Sequence, residues 1–135
     1  MAAGYALSTE IDPILVRPAG ERDFPAITRI QQRVPEAAQW PLGDFSGSSL
    51  LIASRGSEAA GFCAWRQNLS DEAELLNLAV SPDFRRQGVA SKLLAALARA
   101  AKGSIFLEVA ETNAAALELY RKSGWEPCGI RKGYY

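Results

Sequence analysis

Hydrophobic and polar positions along the chain follow two different periods, which together predict an order of strands and helices. Short apolar runs bounded by glycine, proline or serine predict six strands, at 14–17, 49–54, 61–66, 74–80, 104–109 and 125–134. Apolar residues spaced three or four apart predict three helices, at 23–34, 89–102 and 112–122. The resulting order is strand, helix, three strands, helix, strand, helix, strand, which is typical of an α/β fold with a mixed sheet.

Capping and turn-forming residues locate the ends of these elements. Asp23 is placed to cap the first helix, and either Thr112 or Asn113 is placed to cap the third. Residues 35–47 hold two prolines and two glycines and are predicted to form a loop. Trp40 in this loop either pins it to the core or borders a pocket, and the sequence leaves both interpretations open.

Length and composition bound the class of protein. The chain has 135 residues, of which 48% are apolar, so we expect one domain, 1–135, with residues 1–11 flexible. Fifteen acidic and fifteen basic side chains cancel, which argues against a general nucleic-acid binder. The charge is uneven, because residues 1–83 hold eleven acidic and six basic side chains and residues 84–135 hold four and nine. The pattern indicates either solvated surface or a C-terminal half that binds a polyanion and an N-terminal half that attracts a cationic group.

The residue types absent from the chain exclude several chemistries. There is no histidine, so the Ser-His-Asp and Cys-His mechanisms are excluded. Cys63 and Cys128 form no CxxC pair, so no metal site is expected. The first ten residues lack the features of a signal peptide, and no apolar run reaches the roughly 20 residues of a membrane span. We therefore expect a cytoplasmic protein with no membrane partner and free thiols.

The junction FRRQGVASKLL, residues 84–94, carries the most specific functional pattern. It lies between the apolar run ELLNLAV and the second predicted helix, and the first N–H groups of a helix bind anions readily. Gly88 and Ala90 leave room for a ligand to approach the backbone. Arg85 and Arg86 add positive charge. The alternative is a solvated basic helix start, and the glycine patterns of Walker and dinucleotide-binding loops are absent.

The stretch ELLNLAVSPDFRRQGVASKLL as a whole resembles the strand, phosphate loop and helix of the GNAT acetyltransferases. LEVAETNAAALELYRKSGW, residues 107–125, and the C-terminal GIRKGYY resemble the RimI-type group, the ribosomal-protein alanine N-acetyltransferases. The resemblance covers roughly residues 12–135 and is most specific from Glu74 onward. It implies an α/β, GNAT-like fold: a mixed, mostly antiparallel sheet with a central splayed strand pair and flanking helices. It also implies acetyl-CoA as the cofactor.

In the resembled family, the pyrophosphate of acetyl-CoA binds to backbone amides of the phosphate loop. The pantetheine arm pairs with the preceding strand as an added strand would. Asn113 matches a residue that contacts this arm, although it can also cap its own helix. The cofactor-binding residues that the resemblance implies are Leu78, Ala79, Val80, Arg85, Arg86, Gln87, Gly88, Val89, Ala90, Ser91, Asn113 and Tyr120.

Proton transfer falls to carboxylates and a tyrosine, because the chain has no histidine. The resemblance implies that Glu108 is the catalytic base, and a salt bridge at a strand end is the alternative. Glu74 matches the base of the histone-acetylating branch, and its alternative is an exposed strand end. Tyr120 matches a tyrosine that protonates the CoA sulfur, and its alternative is a core residue with a satisfied hydroxyl.

The acetyl acceptor implied by the resemblance is the N-terminal amine of a protein such as a ribosomal protein, acetylated directly in a ternary complex. Tyr134 and Tyr135 match a tyrosine pair that lines the peptide site, or they serve only in packing. Asn77 either marks the splay or faces the substrate. RimI-type chains continue beyond the tyrosine pair into one more strand, so we expect this strand to be missing here. The unpaired edge that results is compatible with a monomer or a weak homodimer.

Other classes of function remain open at this point. The same fold acetylates small-molecule amines and lysine side chains. A non-catalytic acyl-CoA-binding module and a structural domain that binds anions weakly are further alternatives. The presence of both Glu108 and Tyr120 favours an enzyme, because a degenerate binding module would be expected to lose one of them.

Overall fold

The computed structural model describes residues 1–7, 12–34, 47–109 and 112–128 of the chain. Within these ranges the strands are β1 Ile14–Pro18, β2 Ser49–Arg55, β3 Glu58–Leu69, β4 Glu72–Val80 and β5 Ser104–Phe106. The helices are α1 Phe24–Arg33, α2 Val89–Ala100 and α3 Ala114–Lys122, and single 3-10 turns lie at Glu21–Asp23 and Pro82–Phe84. The predicted order of elements is confirmed as far as α3.

The described strands form one sheet in the order β1-β2-β3-β4-β5. Neighbouring strands are antiparallel from β1 to β4, and two-residue turns join β2 to β3 and β3 to β4. β4 and β5 are parallel, because α2 carries the chain back along the sheet between them. The predicted mixed, mostly antiparallel sheet is confirmed.

Helices cover both faces of the sheet, and each face has its own apolar cluster. On one face, here called the α1 face, the buried residues include Ile27, Ile30, Ile52 and Phe62. On the other, here called the α2 face, they include Leu51, Cys63, Leu93 and Leu97. α3 packs on the α2 face through partly buried side chains, including that of Tyr120. Fully buried aliphatic and aromatic side chains of this kind supply most of the stabilisation of a domain of this size.

A β-bulge in β4 changes which of its side chains share a face. β4 carries one extra residue against β3 between Leu75 and Asn77. The alternation therefore restarts, and both Leu75 and Leu78 pack in the cluster on the α2 face. Asn77 lies opposite Ala64, which belongs to the α1 face. Glu74, one residue before Leu75, also lies on the α1 face by this alternation.

The return from α2 to β5 is fixed by close backbone contacts. Gly103 has φ 78°, and a Cβ at this position would overlap the backbone carbonyl of Asp71, so glycine is required here. That carbonyl accepts a hydrogen bond from the Ser104 N–H at 2.9 Å. The Gln67 amide donates to the Lys102 carbonyl at 2.8 Å and accepts from the Lys102 N–H at 2.9 Å. These bonds hold β5 in register beside β4.

Some predicted boundaries of the strands are wrong. β3 extends further at both ends than predicted, and β5 ends at Phe106 because the chain diverges there from β4. Glu108 therefore does not lie inside a strand. Residues 125–128 form no strand, and the remainder of the predicted last strand lies outside the described residues. Trp40, Tyr134 and Tyr135 also lie outside the described residues.

Asp23 precedes α1 as predicted, but its carboxylate does not cap that helix. It accepts hydrogen bonds from the Arg17 guanidinium at 2.9 and 2.7 Å and from the Gly20 N–H at 2.9 Å. The Arg17 guanidinium and the Gly20 N–H lower the pKa of Asp23 from 3.8 to about 2. The carboxylate therefore ties β1 to the turn that precedes α1.

Candidate active site

The predicted phosphate loop lies between β4 and α2. After the 3-10 turn Pro82–Phe84, the chain passes through four exposed residues, Arg85 to Gly88. Gly88 has φ 76° and directly precedes α2, and a Cβ added there would meet no atom within 4 Å. The space in front of the first turn of α2 is therefore open, at the positive end of the helix dipole.

The side chains around this loop suit a phosphate group. Val89 is 2% exposed, so its side chain belongs to the core and its backbone remains at the loop. Ala90 is half-buried and Ser91 is exposed. Arg86 has φ 64°, a left-handed conformation that is uncommon for a residue with a side chain. The loop thus combines open backbone donors, a small side chain and two neighbouring guanidinium groups.

The side chain of Gln87 is already engaged by the protein itself. Its Oε1 accepts a hydrogen bond from Arg55 Nη1 at 2.6 Å. Its Nε2 lies 3.4 Å from the carbonyl oxygen of Asp83, at the long limit for a hydrogen bond. Any contribution of Gln87 to ligand binding therefore comes chiefly from its backbone.

β4 and β5 separate part-way along β4, and the space between them is here called the gap. Their pairing comprises three residue pairs and ends at Glu74 and Phe106. Beyond this point, residues 75–80 of β4 pair only with β3 among the residues that the structure describes. The predicted pantetheine-binding residues Leu78–Val80 lie in this stretch. An unpaired strand edge is a surface on which an extended chain can add as a further strand, so the residues present fit the pantetheine arm.

Two carboxylates lie near the gap, one on β4 and one on the segment that follows β5. Glu74 belongs to the last β4–β5 pair and is 7% exposed. The interpretation of Glu74 as an exposed strand end is therefore wrong, because β4 begins at Glu72 and buries it. Glu108 follows Phe106 where the chain has left β4, and its side chain is exposed. Leu107, just before it, packs against the cluster on the α2 face.

Tyr120 approaches the site from α3, on the α2 face. Its half-buried ring packs edge-on against Trp125, with 5.5 Å between ring centroids, and its carbonyl accepts a hydrogen bond from the Trp125 N–H at 2.9 Å. Burial, with a smaller effect of the nearby Cys63 thiol, raises the pKa of Tyr120 above its ordinary value of 10.0. Tyr120 therefore keeps its proton at neutral pH. Cys63 lies opposite Leu78 of β4, and both belong to the α2-face cluster against which Tyr120 packs. Tyr120 therefore lies on the same face of the sheet as the side chain of Leu78, in the predicted cofactor-binding stretch of β4.

Polar side chains therefore lie near β4 on both faces of the sheet. Glu74 and Asn77, each 7% exposed, lie on the α1 face, and Tyr120 lies on the α2 face. The bulge in β4 makes this possible, because it places Asn77 on the same face as Glu74 and turns Leu78 to the α2 face. The gap lies between these two sets of groups.

The remaining predicted residues have simpler environments. The Asn113 side chain accepts a hydrogen bond from the Ala116 N–H at 3.1 Å, which confirms Asn113 as the cap of α3. Its contact with the cofactor stays a prediction. Burial raises the pKa of the Cys63 thiol to about 12, so this group is a poor nucleophile, and Cys128 is exposed.

The described residues contain neither a cluster of metal-binding side chains nor a candidate membrane span. Across residues 1–7, 12–34, 47–109 and 112–128, no group of three or more acidic or cysteine side chains is arranged to hold a metal ion. Over the same ranges, no helix has the length and apolar character needed to cross a membrane.

The sequence pattern does not indicate the contacts of two residues in this region, Arg55 and Trp65. Arg55 lies just beyond the strand predicted at 49–54, and its guanidinium contacts Gln87 and the ring of Phe84. Trp65 lies opposite Leu75 near the gap, and its buried Nε1 has no hydrogen-bond partner among the described residues. Neither residue carries a signal in the sequence, because one arginine at a strand end and one tryptophan in an apolar run fit ordinary surface and core positions.

A family model and a curated relative both match most of the chain. The family model described as the Acetyltransferase (GNAT) family matches residues 10–125. The ribosomal protein bS18 alanine N-acetyltransferase of Escherichia coli K12 is 35% identical over 123 residues, covering 84% of this chain and 81% of that protein.

Two solved structures have the same fold as this chain. The crystal structure of the ribosomal-protein-S18-alanine N-acetyltransferase from Escherichia coli has a TM-score of 0.74 at 29% identity, covering 91% of this chain and 84% of that one. Ard1 from Thermoplasma volcanium has a TM-score of 0.74 at 25% identity, covering 90% and 88%. The family match over most of the chain and the shared fold show that this protein belongs to the GNAT family of acetyl-CoA-dependent N-acetyltransferases.

Proposed function

We propose that this acetyltransferase acts on the N-terminal amine of a protein, with the N-terminal alanine of a ribosomal protein as the leading candidate. The observation that carries the proposal is the gap between β4 and β5, bordered by Glu74 and Asn77 on one face and Tyr120 on the other. The relative at 35% identity, a ribosomal protein bS18 alanine N-acetyltransferase, supports the choice of acceptor. An extended N-terminal segment is narrow enough to bring its terminal amine into the gap.

The cofactor is held by the loop and by the edge of β4. Backbone N–H groups at Gly88 to Ser91 bind the pyrophosphate, and Arg85 and Arg86 offset its negative charge. The backbone of Leu78–Val80 pairs with the pantetheine arm along the edge that β5 leaves open. When bound, acetyl-CoA supplies the activated acyl group as a thioester.

Glu108 is the proposed base. The acceptor amine must lose a proton as it becomes an amide, and a carboxylate accepts that proton directly or through one water molecule. Glu108 lies on the segment that diverges from β4, and its exposed side chain can pass the proton to solvent. Glu74 and Asn77 lie on the α1 face, where they orient the incoming amine.

Tyr120 is the proposed acid. The new N–C bond forms as the C–S bond breaks, and Tyr120 holds the proton that the leaving sulfur takes up. Because burial raises its pKa, Tyr120 is protonated at neutral pH and available for this step. Cys63 is a buried thiol with a pKa of about 12, so transfer proceeds directly in a ternary complex and not through an acylated cysteine.

Two peptides test the choice of acceptor by intact-mass measurement with acetyl-CoA. One has a free N-terminal alanine and no lysine, and the other has a blocked N-terminus and one internal lysine. We expect a gain of one acetyl group on the alanine peptide alone. A gain on the lysine peptide alone would overturn the proposal in favour of side-chain acetylation. No gain on either, with acetyl-CoA bound, would overturn it in favour of a small-molecule amine or a non-catalytic module.

A further inference from the structure

We propose that Arg55 is a positioning residue that holds the phosphate loop in its binding conformation without contacting the cofactor. Arg55 is the last residue of β2, paired with Ile14 of β1 on one side and with Glu58 of β3 on the other. The sheet therefore fixes its backbone. The inference rests on the phosphate-binding role of the loop in the proposed function.

The Arg55 guanidinium contacts three separate parts of the chain. Its Nε donates to the Asp12 carbonyl at 2.9 Å, and its Nη1 donates to Gln87 Oε1 at 2.6 Å. Its Cζ lies 5.6 Å from the centre of the Phe84 ring, within the range of a cation–π contact. Phe84 and Gln87 lie on either side of Arg85 and Arg86, so one side chain holds both ends of the basic segment.

The loop has a conformation that needs such support. Arg86 and Gly88 have φ 64° and 76°, so two left-handed residues flank Gln87. A left-handed conformation is costly for arginine and persists where the surroundings hold it. The hydrogen bond from Arg55 acts on the residue between these two positions. The start of α2 is thereby presented to a ligand in one arrangement, which lowers the ordering cost of binding.

The contacts of Arg55 favour a role in positioning the loop over a direct attraction of its charge for phosphate. Arg85 and Arg86 are exposed on the loop, whereas the Arg55 guanidinium is directed at protein groups on three sides. A lysine at position 55 retains the positive charge but lacks the planar fork that reaches two acceptors at once. Arg55 also borders an open polar cleft of about 450 Å³, so lysine or methionine fits there without repacking the core.

The first test measures the order of the loop without any ligand. Millisecond hydrogen exchange of the intact protein would compare wild type with Arg55→Met, Arg55→Lys and the control Arg99→Met, which removes an exposed charge near the far end of α2. We expect backbone exchange in residues 85–90 to be several-fold faster in both Arg55 variants and unchanged in the control. Unchanged exchange in the Arg55 variants would overturn the inference, whatever happens to cofactor binding.

The second test measures binding of CoA by calorimetry and turnover with acetyl-CoA. We expect Arg55→Met and Arg55→Lys to weaken CoA binding about tenfold, the order of one or two lost hydrogen bonds, with kcat at saturating acetyl-CoA within about twofold of wild type. Full recovery of affinity in Arg55→Lys would overturn positioning in favour of charge. Adding Gln87→Ala to Arg55→Met should cause little further loss, because both changes remove one interaction. Additive losses would contradict the link through Gln87.

A separate variant distinguishes failure of the loop assignment from failure of the inference. Gly88→Glu places a carboxylate in the open space before α2 and should abolish CoA binding. Retained binding in this variant would remove the phosphate loop from the proposed function, and with it the cofactor part of the inference. The exchange experiment would still decide whether Arg55 orders the loop.

Discussion

At the scale of single residues, Glu74 and Glu108 have opposite environments, one buried at the last β4–β5 pair and one exposed beyond it. We expect Glu108→Gln to lower kcat about 10²-fold, the usual size of a general-base effect, and to leave the Kd for CoA unchanged. Steady-state rates with the alanine peptide and calorimetry with CoA measure the two quantities. Glu126→Gln, an exposed change elsewhere, is the control.

The same experiment decides between the two carboxylates. A loss of turnover in Glu74→Gln with near wild-type turnover in Glu108→Gln would move the base to Glu74. A large loss of CoA affinity in Glu108→Gln would contradict its assignment as a base, because a proton acceptor for the amine has no role in holding the cofactor.

Tyr120→Phe removes only a hydroxyl and should leave the ring packing on Trp125 intact. We expect kcat to fall about 10²-fold, since the leaving sulfur loses its proton donor, while the melting temperature stays within a few degrees. Because the pKa of Tyr120 is raised above its ordinary value of 10.0, the wild-type kcat should show no alkaline loss from this group up to about pH 9. Wild-type turnover in Tyr120→Phe across this pH range would reject the role.

At the scale of elements, the parallel β4–β5 pair depends on the turn at Gly103. Gly103→Ala combines left-handed strain with overlap against the Asp71 carbonyl, and we expect it to destabilise the fold by about 2–5 kcal/mol. Gly124→Ala is a matched control, because Gly124 has φ 90° but open space around it, and we expect a loss of about 1 kcal/mol. Urea unfolding measures both. Equal losses would show that the contact with Asp71 contributes nothing.

The hydrophobic periodicity of the sequence predicts most of these strands and helices. It does not predict features that depend on residues distant along the chain. β4 and α2 are close to prediction, because their apolar patterns are long and regular. The end of β5 at Phe106 and the bulge between Leu75 and Asn77 are not predictable, because pairing with a distant strand sets both. The role of Arg55 is hidden for the same reason, since its hydrogen-bond partners Asp12 and Gln87 lie 43 and 32 residues away along the chain.

At the scale of the whole molecule, the Asp23–Arg17 pair makes stability depend on pH. The pKa of Asp23 is about 2 in the folded protein against an ordinary value of 3.8. Its contribution is therefore fully present above about pH 4 and is lost as the pH falls towards 2. Arg17 is 44% exposed, so solvent screening reduces the contribution to about 1 kcal/mol.

Urea unfolding at pH 5 and at pH 2 checks this prediction. The loss of stability between the two pH values should be about 1 kcal/mol smaller in Asp23→Asn than in wild type, because the variant has no carboxylate to protonate. Comparing the two proteins cancels the other acidic groups, including Asp83 and Glu118, whose pKa values are also lowered by neighbouring arginines. An identical loss in both proteins would contradict the assignment.

The gap between β4 and β5 has a consequence for inhibition. In the proposed function the acceptor amine meets Glu74 and Asn77 on the α1 face and the CoA sulfur meets Tyr120 on the α2 face, so the two reactants would reach the gap from opposite faces of the sheet. A compound that joins CoA covalently to an N-terminal peptide would therefore have to be threaded between two strands. Such a compound could not leave by sliding out of one pocket, so its residence time would be governed by the opening of the sheet edge at β5, and mutations that loosen the turn at Gly103 would shorten it.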